Sequence, residues 1–422
     1  MSDRDHAKAA SHITPERVRD LVLELVDIPS PTGQERGVAE CLVARMKRMG
    51  LETDLPLVDA GRPNAVGHLR GRGDGVNLLF TGHMDTSYSG AEAHLSGEGF
   101  RPRGVLRDGW IWGLGANNMK SGLACALVAI EAIATSGIEL AGDISFGGVV
   151  GEIEKTAIEE FQGVEYSGYG VGTRHLVTHG VTADYALLAE PTGMRIASAN
   201  MGCIWVRIGV TGTVAHSALA NKPNVVNAIA VMHELQTDIA AWARDYEATH
   251  VYKGEHANVT VAAIRGGAPW RLSRNPHECS LYLDIRTVPG QTVDGVKREL
   301  RRVLRRFADA KGTTEPAMHV YVSDPPNLVD ERSALVGSLA AAQAAVTGES
   351  PPTIIRRPGA DAVHLTAYGV PCVPFGPGGR LHPDTRGAGM HAAGEHVHLD
   401  DCVAAAKIYV ALALDLCGRK AG

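Results

Sequence analysis

The sequence predicts an α/β sandwich interrupted by a smaller α+β unit, on three observations. Short apolar runs of the buried-strand kind alternate with helical patterns up to residue 202. Near residue 203 the texture changes to longer alternating strands and charged amphipathic helices. After Asp324-Pro325-Pro326 a small-residue helical pattern returns. The predicted organisation is therefore a first domain in two parts, 1–202 and 324–422, with residues 203–323 inserted as a lid.

The elements follow in order. Thr14 caps and Pro15 opens a helix over 14–28, and Pro29, Pro31 and Gly33 stop it. Residues 38–49 read as a second amphipathic helix. Val76–Phe80 is a buried strand leading into Thr81-Gly82-His83-Met84-Asp85. Residues 119–134, nearly all apolar or small, predict a buried helix, and 144–150 and 185–189 predict further core strands. In the insert, strands at 204–214, 259–264, 280–285 and 318–322 and helices at 224–244 and 293–310 give two helices on a four-stranded antiparallel sheet. A helix at 334–346, a strand at 370–375 and a helix at 402–416 close the chain.

With 422 residues the chain calls for roughly two or three domains. A formal net charge of −6 argues against a nucleic-acid or membrane-surface partner, which would favour a basic face. The seven cysteines contain no CxxC pair, so neither a disulfide framework nor a structural zinc site is expected, and a reducing cytoplasm fits best. No uncharged apolar run reaches the ~20 residues that span a bilayer.

Open parallel sheets bind ligands at the carboxyl ends of their strands, which is where His83 and Asp85 stand. An HxD pair alone is weak evidence, and a structural histidine is the commoner outcome. Several further polar clusters follow core strands or open helices: the glycine-rich turn 113–122, Gly151-Glu152-Ile153-Glu154, Ala189-Glu190-Pro191-Thr192 and His391-Ala-Ala-Gly-Glu395. Together they point to one composite site. His175 and His179 read more simply as surface residues, Gly170-Val-Gly172 as a turn, and 298–306 as a solvated helix face. Trp110, Trp112, Trp205 and Trp270 suit either a core or a pocket wall.

In this order the motifs resemble the metallopeptidase family of aminoacylases, acetylornithine deacetylase, succinyl-diaminopimelate desuccinylase and glutamate carboxypeptidase. The resemblance runs along nearly the whole chain. It takes in Pro29-Ser-Pro-Thr-Gly-Gln-Glu35, Gly212-Thr-Val-Ala-His-Ser217, Asn258, Gly266-Gly267, Asn275-Pro276, Asp284-Ile-Arg286 and Gly376-Pro-Gly378. It implies a zinc-peptidase-like three-layer α/β sandwich with an inserted ferredoxin-like lid, which also serves dimerisation, and hence a homo-oligomer, at least a dimer. By position, it makes His83 a metal ligand with Asp85 as its orienting partner, Glu152 the general base and Glu190 a ligand of the first metal. It makes His391 a ligand of a second metal, or a substrate contact, and His216 the lid histidine that serves the neighbouring subunit's site. Asn275, Arg286 and, less directly, Arg274 fall where substrate is contacted.

Two departures shape the expected chemistry. Asn118 occupies the place of the carboxylate that bridges two metals, and a neutral amide with one oxygen cannot do that work. Ile153 stands where a second-metal glutamate belongs and cannot ligate. The expectation is one divalent transition metal per subunit, Mn or Zn, held by His83, Glu190 and the Asn118 oxygen. The expected substrate is a small molecule carrying a carboxylate, and the reaction a hydrolysis of a C–N bond. The resemblance extends to aminohydrolases of this group and so implies, as one form of it, deamination of an aromatic amine such as 5-nitroanthranilate. A dinuclear deacylase or dipeptidase that recruits Glu154 is the alternative, and an inactive binding protein is the alternative of another class.

Overall fold

The computed structural model describes residues 1–385 and 394–420. The chain divides into two compact units. The first comprises Met1–Ser198, Val329–Ile354 and Ala360–Gly422, and the second Ala199–Leu328 and Ile355–Gly359.

The first unit is built on a six-stranded mixed sheet. Its strand order is Glu52–Asp54, Ala65–Leu69, Ile144–Val149, Leu78–His83, Tyr185–Leu188, Cys372–Pro374. The last four run parallel, whereas Ala65–Leu69 pairs antiparallel with Ile144–Val149 and with Glu52–Asp54. The parallel strands are buried on both faces, and their alternation sorts side chains between two cores. Leu78, Phe80 and Leu187 join a large core with the helices Pro15–Val26, Lys120–Ser136, Ala334–Thr347 and Leu399–Cys417. Leu79, Ala186 and Leu188 face a smaller core closed by Val171–Thr178 and Ala362–Ala367. Helices thus cover both faces of the sheet.

The predicted start of the first long helix has its physical cause in view. Thr14 Oγ1 accepts from the Arg17 N–H at 3.3 Å and Pro15 opens the turn. Three further helices went unpredicted, among them the short Ala362–Ala367. Asp3–Ala10 begins with a reciprocal capping box between Ser2 and Asp5. Val171–Thr178 lies within the stretch 158–182, where glycines obscure the helical period.

The second unit is a four-stranded antiparallel sheet ordered Asn258–Gly266, Glu278–Thr287, Gly202–Thr211, Ala317–Asp324. The helices Ala228–Thr249 and Val293–Lys311 pack on one face, around Ile204, Ile208, Leu281, Leu283, Leu300 and Leu304. Asn258–Gly266 is an edge strand and is exposed along most of its length.

Candidate active site

The Leu78–His83 strand is central in its sheet, and its last residue, His83, is fully buried. The imidazole Nδ1 lies 2.9 Å from the backbone carbonyl of Asp85 and 3.4 Å from its carboxylate. The Asp85 carbonyl is thus the closer anchor of the ring, with the carboxylate behind it. Asp85 itself is fixed from three sides: Thr32 donates its hydroxyl at 2.9 Å, and the N–H groups of Glu152 and Ile153 donate at 3.1 and 3.2 Å. These contacts and His83 outweigh burial and hold the Asp85 carboxyl below the usual carboxylate range.

This anchoring leaves Nε2 of His83 facing a group of side-chain oxygens. It lies 3.2 Å from Asn118 Oδ1, 3.5 Å from Glu152 Oε2 and 3.6 Å from Glu190 Oε1. Each of the three arrives from a different element. Asn118 comes from the turn before Lys120–Ser136, Glu152 from the loop after Ile144–Val149, and Glu190 from the end of Tyr185–Leu188. Gly122 permits the meeting, because a Cβ there would stand 1.9 Å from the Ala189 carbonyl oxygen. Glu395 fixes the turn, its Oε2 accepting the N–H groups of Gly115, Asn117 and Asn118 at 3.0, 3.2 and 2.9 Å. Glu395 lies in the 391–395 cluster, but no local pattern there signals that it holds a turn 277–280 residues away.

The loop carrying Glu152 is held by buried polar groups. Asn64 accepts the Val150 N–H at 3.0 Å and donates to the Gly172 carbonyl at 2.9 Å. Arg62 and Glu35, both fully buried, form a two-pronged ion pair at 2.6 and 3.0 Å, and Arg62 also donates to the Ser167 carbonyl at 3.0 Å. Asp361, absent from the sequence reading, is buried and accepts the Thr173 hydroxyl at 2.5 Å. Burial raises its carboxyl to about 7, with the charges of Asp85 and Glu190 adding to the rise. No local motif marks it, since Ala-Asp-Ala resembles any helix start.

Burial and crowding set the electrostatics. Burial pushes the Glu152 carboxyl well above its ordinary range; His83 opposes this, and Glu190 and Asp361 reinforce it. Burial also disfavours a charge on His83, but Glu152, Asp85 and Glu190 overcome it and raise the imidazole well above its usual range. Ligand atoms of His83, Glu152 and Glu190 all lie within 4.8 Å of one another, the one such group among the described residues. One imidazole nitrogen with carboxylate oxygens is a donor set suited to zinc or manganese. A dication there would relieve the same carboxylate repulsion that otherwise keeps a proton on His83.

The remaining predicted residues separate. Ile153 is buried and reaches the site only through its backbone N–H. Glu154 is not among the clustered donors. His391 lies outside the described residues. His216, Arg274, Asn275 and Arg286 belong to the second unit. There His216 forms a backbone bridge with Arg274, Arg286 donates to Asp284 at 2.9 Å, and the Asn275 amide donates to the carbonyls of Thr213 and Val226, each at 2.8 Å. His175 and His179 stack at 3.7 Å on the Val171–Thr178 helix and its cap.

A buried histidine–carboxylate cluster at the strand ends of an α/β sandwich, in a chain that also carries a separate antiparallel-sheet unit, is the arrangement of a metal-dependent enzyme. Comparison with known proteins gives the particular family. The chain belongs to peptidase family M20/M25/M40, whose profile matches residues 79–415, and it is a metallohydrolase acting on C–N bonds. It is 28% identical to a succinyl-diaminopimelate desuccinylase from Gluconacetobacter diazotrophicus, covering 96% of this chain and 99% of that one. It is 25% identical to an N-formyl-4-amino-5-aminomethyl-2-methylpyrimidine deformylase from Bacillus subtilis, covering 92% and 91%. Its fold is similar to that of a tripeptidase from Staphylococcus aureus, with TM-score 0.75 at 19% identity, covering 96% of this chain and all of that one (100%). Human carnosine dipeptidase 1 superposes with TM-score 0.71 at 15% identity, covering 98% and 99%. The family implies a divalent metal. No helix among the described residues is long and apolar enough to cross a membrane.

Proposed function

We propose that this chain is a mononuclear metal-dependent aminohydrolase that replaces an aromatic amino group with hydroxyl, 5-nitroanthranilate yielding 5-nitrosalicylate and ammonia. The observation that carries the reading is Asn118 beside His83, with Ile153 in place of a ligand. A second cation would lack both the bridging anion and its own glutamate. His83, Glu190 and the Asn118 oxygen would hold one cation, Mn or Zn, with His391 the less certain further ligand. That cation, when bound, supplies Lewis-acid polarisation and makes water a better acid. Glu152 accepts the proton of the attacking water as its oxygen bonds the ring carbon, then delivers it to the departing nitrogen, so that ammonia leaves. Its raised carboxyl suits both halves of that transfer. A carboxylate next to the reacting carbon supplies negative charge that Asn118 and Ile153 do not.

His216 would complete a neighbouring subunit's site, with Asn275, Arg286 and Arg274 contacting substrate, in an oligomer that is at least a dimer. The exposed edge strand Asn258–Gly266, carrying Val261 and Ile264 outward, supports pairing between lids. The names of the relatives favour a second reading, a dinuclear deacylase or dipeptidase. The two readings separate in one assay of metal-supplemented protein that measures ammonia and carboxylate release independently. Our reading expects ammonia from amino-benzoates and no carboxylate from acyl-amino acids, and the reverse pattern would overturn it.

A further inference from the structure

We propose that the loop 268–275 of the second unit binds the flat, apolar body of a carboxylate-bearing substrate, and that Trp270 sets this specificity. The inference rests on the preceding reading only in that a small carboxylate is the substrate. Trp270 is 82% exposed and Leu272 80% exposed, whereas large apolar side chains seldom stand so far from any core. They are presented on braced backbone. Ser217 donates its N–H to the Ser273 carbonyl at 2.8 Å and Asn275 donates to Ala215 at 2.9 Å, with His216 paired against Arg274 between them. The exposed indole is therefore held in the same loop cluster as the lid histidine.

Beneath lies a cavity of about 400 Å³, lined by Val214, Trp270, Arg271, Arg274, Asn275 and Glu278 among others. Arg271 and Arg274 outnumber the single lining carboxylate, Glu278, which is itself 3.7 Å from His277 Nε2, so the lining favours an anion. Asn275 is only 2% exposed. Its amide nitrogen is committed to the carbonyls of Thr213 and Val226, which fixes the orientation of the group, and its Oδ1 accepts no hydrogen bond among the described residues. A buried unmade acceptor is costly, and a ligand N–H would satisfy it. A flat aromatic face, guanidinium cations and an acceptor together select a planar carboxylate bearing an N–H group.

The test is calorimetric titration of the metal-loaded protein with 2-aminobenzoate and, separately, with acetate, in wild type, Trp270→Ala and Trp270→Phe. The expected result is a roughly two- to tenfold weaker affinity for 2-aminobenzoate in Trp270→Ala, largely restored in Trp270→Phe. Acetate affinity should be the same in all three. For any carboxylate the enzyme turns over, Trp270→Ala should raise KM with kcat held. The proposal is overturned by equal aminobenzoate affinities, by an equal loss for acetate, or by a drop in subunit number of Trp270→Ala in light scattering, which would make the loop a subunit contact. Because binding is read without turnover, failure of the aminohydrolase reading leaves this result interpretable.

Discussion

Glu152 is the residue we propose for proton transfer. Its carboxyl is buried against His83 and raised by burial, so it holds a proton far more readily than an exposed glutamate. Glu152→Gln should keep fold and metal content and lower kcat by about 10²–10⁴-fold. Near-normal kcat in that variant would remove Glu152 from the role of base. Lys120 offers a separate test of burial. It is fully buried beneath the turn, donates to the Ile28 carbonyl at 2.6 Å, and burial lowers its ammonium to about 7 against the pull of Glu395 and Asp27. Between that value and the ordinary lysine range, the unfolded chain binds a proton that the folded chain does not. Stability from this group therefore rises with pH across the window, by at most about 1.4 kcal/mol per unit. Lys120→Met should flatten the wild-type slope between pH 7 and about 10 in denaturant titrations. An unchanged slope would mean that Lys120 stays charged in the folded protein.

At the scale of elements, strand ends and one close helix approach assemble the site, and a buried ion pair braces it. Arg62 joins the 31–35 turn to Ser167 in the loop that follows Glu152. Removing one partner of a fully buried pair leaves the other charge stranded, so Arg62→Ala should cost about 3–5 kcal/mol in chemical denaturation. It should also lower kcat, because the loop that carries Glu152 loses its backing. A loss below about 1 kcal/mol, the value of a surface pair, would show the brace to be dispensable. The parallel strands and the antiparallel unit were legible because their apolar periods are uninterrupted, as in Leu78–Phe80 and 293–310. The strand end marked by His83 and Asp85 was legible for the same reason. Ser2 and Asp5 carry a capping signal, but the polar segment after it has no apolar period to mark a helix. Asp361 and the Arg62–Glu35 pair were not legible. Their meaning comes from partners far away in sequence, and no local pattern records a contact between residues 173 and 361.

For the whole molecule, the question is how many cations the first unit holds. The relatives by sequence and fold include a desuccinylase, a deformylase and a tripeptidase; this chain carries the neutral Asn118 and Ile153 at its site, and we propose that they leave it a single cation. Asn118→Asp should tighten metal binding by adding an anionic ligand, without a matching gain in turnover, since more negative charge makes bound water a poorer acid. The most direct measurement is an anomalous-scattering map of crystals grown with saturating Mn²⁺ or Zn²⁺ and a substrate analogue. A mononuclear site would show one ion per chain, at His83 and Glu190, with activity saturating at one equivalent. Two fully occupied ions about 3.5–4 Å apart would contradict it.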